Sequence, residues 1–239
     1  MTRLLPILPL VLLAACAARP LLPTEGPYAL QWEAFPEEDQ KKLHSVFDLP
    51  TAMVELPLTK VETRTELFEF LLNDLVFTAG VLRAQKRAHY KLWRDFGDPP
   101  GQVRFDDTAG ICLVAELLKR EPGRWVYFSK GTFDFGIFSV TGSTVIIVIH
   151  EEREGALWTH ARVYAKVEGI VLEQSARFLG LVENAIRKRA FVFIEASCAV
   201  AEMAAKDPGQ MLRDIEGSPE IDAASLEEFR RRIAGDGRK

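Results

Sequence analysis

The chain has 239 residues, of which 30 are lysine or arginine and 34 are aspartate or glutamate, so its formal net charge is −4. A domain that binds nucleic acid usually carries a basic face, and this balance argues against that class of partner. Hydrophobic residues make up 48% of the sequence, which is ample for the core of one domain with short appendages.

The amino-terminal segment has the layout of a secretory signal. One basic residue, Arg3, precedes an apolar run from Leu4 to Leu13, and two alanines separate this run from Cys16. A membrane-spanning helix needs about 20 apolar residues, roughly twice the length of this run. The pattern therefore predicts an export signal over residues 1–15.

The residues Leu13-Ala14-Ala15-Cys16 resemble a bacterial lipobox. The resemblance implies that the signal is removed, that Cys16 is joined to diacylglycerol, and that its new amino terminus receives a palmitate-type chain. Ala17, in place of aspartate, implies the outer membrane, with the domain on the periplasmic side. Loss of Arg3 leaves 29 basic and 34 acidic residues, a net charge of −5. An ordinary signal with Ala-x-Ala spacing and an uncut anchor are the open alternatives.

The segment after the cysteine predicts a tether. Residues 17–36 hold four prolines and one glycine without a sustained hydrophobic period, so we predict a lipidated cysteine and flexible tether over 16–36. Three acids after Pro36 suit the positive end of a short helix running towards Phe47. A first strand is predicted over 52–62.

A single helix is predicted over 63–87. Thr63 and Glu66 fit a capping box, and apolar residues recur at three- and four-residue spacing from there to Leu82. Asp74 lies among them, and we favour a solvated helix edge for it over a buried polar site.

Short strands follow, and the last of them alternates most clearly. From Leu157 to Val167, small and apolar residues alternate with polar or bulky ones. This alternation predicts an antiparallel sheet with one face on a core and the other in water. The predicted strands cover residues 89–94, 102–105, 111–119, 124–129, 133–140, 143–151 and 157–167, with a turn at Thr141-Gly142.

The carboxy-terminal part begins with a long helix. A broad apolar stripe predicts a helix over 169–206, which Asp207-Pro208-Gly209 ends. Residues 207–239 are predicted to form a polar, partly disordered tail with one short helix over 223–233.

The residues that carry chemistry are few. Cys112 and Cys198 either form a disulfide in an oxidising compartment or are two separate small core residues. The four histidines lack the spacing of a zinc motif, and a P-loop, a nucleophile elbow and a dinucleotide fingerprint are absent from the sequence. We predict that His150, opposite Leu157, and His160 are separate surface histidines. We expect no enzyme, metal site or cofactor, and an enzyme of cyclase or hydrolase type is the least supported alternative.

The order of these elements resembles the helix-grip fold of the START-like superfamily, over residues 53–206. The resemblance implies an α+β domain in which a curved antiparallel sheet packs on a long carboxy-terminal helix. We place this domain at 37–206, with an amino-terminal helical extension. The chain departs from the superfamily by the helix before Pro50 and by the tail after Pro208.

In that superfamily, the sheet and the long helix enclose an elongated apolar cavity. Aromatic and aliphatic side chains are typical of ligand pockets, although the same residues can fill a dry core. The candidate ligand-binding residues are Phe133, Phe135, Phe138, Phe178, Leu181, Val182 and Phe193.

These features predict a periplasm-facing lipoprotein that binds or carries a lipid or another apolar small molecule. Its partners would be the membrane, through the lipid anchor, and that ligand. The alternative is an envelope structural or assembly lipoprotein that acts through a protein partner. Nucleic acid is not expected as a partner.

Overall fold

The structure is a computed structural model that describes residues 26–95, 97–99, 101–108, 110–134, 139–168 and 176–234. Within the last range, the side chains at positions 176–179, 181–182, 185 and 188–193 lie outside the description. No helix in these ranges has both the length and the apolar run needed to cross a bilayer.

An antiparallel sheet of eight strands forms the centre of the fold. Its strands are β1 (Ala52–Glu55), β2 (Thr59–Val61), β3 (Lys91–Trp93), β4 (Gln102–Asp106), β5 (Ile111–Glu121), β6 (Arg124–Asp134), β7 (Ser139–Arg153) and β8 (Ala156–Val167). The strand order is β1-β8-β7-β6-β5-β4-β3, and β2 pairs with β8 beside β1.

Six α-helices accompany the sheet in the described residues. They are α1 (Glu37–Phe47), α2 (Thr65–Asn73), α3 (Leu75–Ala84), α4 (Ala176–Lys206), α5 (Pro208–Ile215) and α6 (Ala223–Ala234). The long helix α4 contacts β1, β2 and β8 and packs against α2 and α3. The predicted α+β class, with a curved antiparallel sheet on a long carboxy-terminal helix, is confirmed.

Two glycines at the centre of the sheet allow adjacent strands to approach closely. Gly131 on β6 pairs with Gly142 on β7. A Cβ at Gly131 would lie 2.1 Å from the carbonyl oxygen of Cys112, and one at Gly142 would lie 2.7 Å from that of Lys166. Glycine in a strand often marks such a close approach or a bend. β7 therefore runs without interruption through Thr141 and Gly142, and the turn predicted there is wrong.

The turn between β7 and β8 sets the register of the longest hairpin. Glu154 and Gly155 both have positive φ angles, 52° and 74°, as a two-residue hairpin turn requires. His150 consequently pairs with Thr159. The predicted pairing of His150 with Leu157 is wrong, because the turn lies one residue later than expected.

The helix predicted over 63–87 is two helices. The break is at Asp74, whose side chain accepts a hydrogen bond from the backbone N–H of Phe77 at 3.2 Å and so caps α3. The capping box is also wrong: α2 begins at Thr65, and the Thr63 hydroxyl has no hydrogen-bond partner in the structure.

The second face of the sheet is covered as well. A second core contains Tyr28, Leu30 and Phe35 together with residues of α1. These side chains pack against even-numbered positions of β6 and β8 and odd-numbered positions of β7. The prediction of one face in water is therefore wrong. The tether predicted over 16–36 is also too long, because burial of these apolar side chains fixes the chain from Tyr28 onwards.

The carboxy-terminal tail is folded over most of its length. Met211 and Ile215 on α5 and Phe229 on α6 are buried in the main core, and Phe229 stacks on Phe70 at a centroid distance of 6.1 Å. The short helix predicted over 223–233 is confirmed as α6. The prediction of a polar, partly disordered tail is wrong for α5, and both helices have an apolar face that the core covers. Residues 235–239 lie outside the described ranges.

Candidate functional site

An apolar chamber of about 30 Å³ lies between the sheet, the α2–α3 pair and α4. Strand alternation places its sheet side chains, because odd-numbered residues of β6 and of β5 up to Leu117, and even-numbered residues of β7, face the side of the sheet that the helices α2, α3 and α4 cover. The walls are Leu72, Leu75, Leu113, Ala115, Tyr127, Ser129, Ile146, Val148 and Ile194.

The two hydroxyl groups in these walls are bonded to the protein. Tyr127 donates a hydrogen bond to the carbonyl oxygen of Leu72 at 2.9 Å, and burial raises the pKa of Tyr127 well above its usual value. Ser129 Oγ lies 2.5 Å from Thr144 Oγ1. Because both hydroxyl groups already have hydrogen-bond partners, the described lining presents an apolar surface to the chamber.

A second space of about 180 Å³, the vestibule, lies beside the chamber. The vestibule and the chamber share Leu72, Leu75, Ala115 and Tyr127. The remaining vestibule residues are Asn73, Arg94, Gly101, Val103, Glu116 and Leu117.

The charged residues of the vestibule are already paired within the protein. Arg94 lies 3.3 Å from Asp74, and Lys42 donates to Glu116 at 2.9 Å. The vestibule therefore has polar walls in which no charge is left without an opposite partner.

An outer groove of about 390 Å³ lies on the opposite side, between the β1–β2 connection and α4. Ile194 lines both the groove and the chamber and so separates the two spaces. The groove residues are Leu56, Pro57, Thr59, His160, Ala161, Ile194, Glu195, Cys198, Ala199 and Glu202.

Most of the predicted site residues lie where the structure gives no side chain. Phe133 is half-buried and packs against the main core and the smaller core under β3 to β5. Cys16, Phe135 and Phe138 lie outside the described residues, as do the side chains of Phe178, Leu181, Val182 and Phe193 on α4. Their roles stay predictions.

The described chamber walls were not predicted from the sequence. Emphasis on phenylalanine missed the aliphatic residues Leu72, Ile146 and Val148. Strand alternation marks the inward face, but only the pairing of Tyr127 with Ile146 shows which inward residues meet. Helix periodicity likewise shows that Leu72 faces inward, but it does not show which residue Leu72 contacts.

The two strand histidines are not surface residues, contrary to prediction. The His150 side chain is 1% exposed, and its Nε2 lies 3.2 Å from Glu69 Oε1. Burial lowers the pKa of His150, and Glu69 partly offsets that effect. His160 is half-buried, with Nδ1 2.5 Å from the Tyr28 hydroxyl. His150 pairs with Thr159, so His160, the next residue, faces the other side of the sheet. The two histidines therefore have different partners, one on each side.

The two described cysteines are unpaired. Cys112 is exposed on β5, and Cys198 is buried on α4. The alternative of a disulfide between them is therefore wrong.

Comparison with known proteins gives weak likenesses. No known family profile matches the sequence, and no curated protein matches it. Among solved structures, the chain is similar to Ara h 8.0201 at 10% identity and a TM-score of 0.44, with 63% of this chain and 97% of that chain covered. It is similar to a conserved protein from Geobacillus kaustophilus at 15% identity and a TM-score of 0.40, covering 62% and 92%. It is similar to the di-domain ARO/CYC protein BexL at 12% identity and a TM-score of 0.42, covering 66% and 52%. Likenesses at these TM-scores carry no assignment of family or function.

Proposed function

We propose that this protein binds a small apolar molecule, or a single acyl chain, between the sheet and α4, and that it acts by binding rather than by catalysis. The observation that carries this proposal is the apolar chamber, whose described hydroxyls are bonded to the protein. Ligand sites are typically apolar, with a few polar groups that fix orientation. The polar vestibule beside the chamber supplies such groups at one end.

The volume of the chamber determines how a ligand would fit. About 30 Å³ holds little more than a water molecule, whereas typical ligand pockets measure about 300–1,000 Å³. A void of this size costs roughly 0.7 kcal/mol of stability. A ligand therefore has to displace wall side chains, and Ile194 and Leu75 are suited to this because each also borders a larger space.

The finer proposal is that the domain is a periplasm-facing lipoprotein anchored to the outer membrane through Cys16. The lipobox-like sequence supports it. Because Tyr28 is already buried in the domain, the chain from Cys16 to that residue spans at most about 40 Å when fully extended. Such an anchor would keep the binding site close to lipid and raise its local concentration there.

Native mass spectrometry of the protein, purified without detergent from a bacterial host, tests ligand binding. We expect a stoichiometric apolar mass that is lost in Ala115→Leu, because the larger side chain fills the chamber. Ala224→Leu, at an exposed position on α6, is the matched control and should keep the mass. A bare protein mass, with no uptake of a fluorescent fatty acid afterwards, would contradict the proposal.

A second candidate function is docking of an envelope protein. Leu49, Met53 and Leu58 are exposed large apolar residues, and all three lie in or beside the edge strand β1. A free edge with apolar side chains favours pairing with another chain. A photo-crosslinker at position 53 should give one discrete adduct in cells, and one at the exposed position 33 should give none. No adduct at position 53 would rule this candidate out.

A further inference from the structure

The outer groove has an apolar floor and an acidic helical side. On α4, Glu195, Cys198 and Glu202 are three and four residues apart and therefore lie on one face of the helix. The wall across the groove includes Leu56 and Pro57, from the β1–β2 connection. A molecule in this groove would contact hydrocarbon below and carboxylates at one side.

Glu195 and Glu202 are the acidic residues of the groove. Both are exposed, and neither forms an ion pair in the described part of the chain. The Cys198 thiol lies between the two glutamates along the helix. Burial raises the pKa of Cys198 to about 12, and the negative charges of Glu202 and Glu195 contribute to the rise. The groove differs in this respect from the vestibule, where Arg94 and Glu116 are both paired.

Across the groove, the described lining holds one titratable base, a histidine. His160 lines the groove, and its Nδ1 is engaged by the Tyr28 hydroxyl. Burial lowers the pKa of His160, so the imidazole is neutral above its ordinary value of 6.5. The groove is therefore electronegative.

We propose that the outer groove is the headgroup site of a cationic amphiphile, such as a long-chain amine. Its ammonium group lies between Glu195 and Glu202, and its hydrocarbon tail passes Ile194 into the chamber. This inference rests on the proposed binding of an apolar ligand in the chamber, and it adds the charge of the ligand and its route of access. Ile194 is the point of passage because it lines both spaces.

The expected selectivity is modest, because both carboxylates are exposed. An exposed ion pair stabilises a complex only weakly and is screened by salt. Two such pairs correspond to a preference of about tenfold for an ammonium headgroup over a neutral one. The preference should shrink when the ionic strength is raised.

Isothermal titration of the full chain with three 12-carbon probes tests the inference, with the two ionic probes kept below their micelle concentrations and the alcohol below its solubility limit. The probes are dodecyltrimethylammonium, dodecyl sulfate and dodecanol. We expect the ammonium probe to bind about tenfold more tightly than dodecanol, and dodecyl sulfate to bind most weakly. In the double variant Glu195→Gln/Glu202→Gln, the ammonium preference should disappear while dodecanol affinity stays unchanged.

The control variant, Glu33→Gln/Glu66→Gln, makes the same change in net charge at exposed positions outside the groove. It should keep the ammonium preference. The headgroup site would be overturned if the groove variant bound the ammonium probe as tightly as the wild type, or if the control variant lost the ammonium preference equally. In either case, dodecanol binding would still support the chamber. If dodecanol does not bind, the chamber proposal fails. Ammonium binding that still needs the two glutamates would then mark a separate cation site.

Discussion

His150 is buried beneath α2, where Glu69 lies 3.2 Å from its Nε2 and Arg120 pairs with the same carboxylate at 3.0 Å. Burial lowers the pKa of His150 below its ordinary value of 6.5. Between the lowered pKa and 6.5, the unfolded chain binds more protons than the folded one. The free energy of unfolding therefore falls as the pH falls through this window and does not change with His150 above it.

Replacement of His150 tests this pH response. In His150→Gln, the loss of stability between pH 7.5 and pH 5.5 should be smaller than in the wild type, because one proton-linked group has been removed. The half-buried His160 contributes in the same direction, so some dependence should remain. Urea unfolding at the two pH values measures the effect. His44→Gln, at an exposed position, serves as the control, and an unchanged slope in His150→Gln would contradict the prediction.

The two described cysteines should differ sharply in reactivity. Burial raises the pKa of Cys198 to about 12, so almost no thiolate is present at pH 8, and the thiolate is the reactive form. Cys112 is exposed. With iodoacetamide at pH 8, the Cys112 peptide should be alkylated in mass spectra while the Cys198 peptide stays unmodified. Urea should make the two rates similar, and equal rates in the folded protein would refute the assignment.

Among the elements, those with a strong period were predicted best. The alternation in β8 and the stripe of α4 are repeated signals to which many residues contribute, and both elements are present. The break between α2 and α3 was missed because the apolar spacing continues across it. Asp74 caps α3 through the nearby backbone N–H of Phe77, but its carboxylate is also held by distant partners, Arg94 and Ser225 on α6, the latter at 2.6 Å. A local pattern does not contain such partners.

The sequence predicts that Thr63 caps a helix, whereas the structure shows that Asp74 does. We therefore expect substitution of Asp74, and not of Thr63, to destabilise the protein. Asp74→Ala removes the cap of α3 and the bonds to Arg94 and Ser225, and it should cost about 1–3 kcal/mol. Thr63→Ala should change the free energy of unfolding little, because that hydroxyl has no partner. Denaturant unfolding compares the two variants. If Thr63→Ala lowered the free energy of unfolding more than Asp74→Ala, the result would contradict this assignment and support the capping box.

For the whole molecule, the sequence predicted the fold class but not the second core. The order of strands and helices, with α4 last, is enough to indicate an α+β sheet-and-helix architecture. Burial of Tyr28 and Phe35 was missed because the surrounding prolines hide any period. The chamber was missed for a different reason: its walls come from three strands and three helices, and only the tertiary structure brings Leu72 next to Tyr127.

The amino-terminal segment should therefore be part of the stable domain. A chain that begins at Glu37 lacks Tyr28, Leu30 and Phe35, which are 1%, 7% and 4% exposed. Loss of these side chains should reduce the free energy of unfolding by roughly 5 kcal/mol. Urea unfolding of chains that begin at Gly26 and at Glu37 measures the difference. Equal midpoints would show that this segment adds nothing to the fold.

The strap formed by residues 28–35 also determines how tension would travel through a chain held at its amino terminus. Arg124 donates to the carbonyl oxygens of Pro27 and Ala29 at 2.8 and 2.9 Å, and Tyr28 bonds to His160. A pull on the amino terminus would thus be borne by β6 and β8, through residues on the face of the sheet opposite α4. Drag on a domain held in this way would load the strap and these two strands before it reached α4.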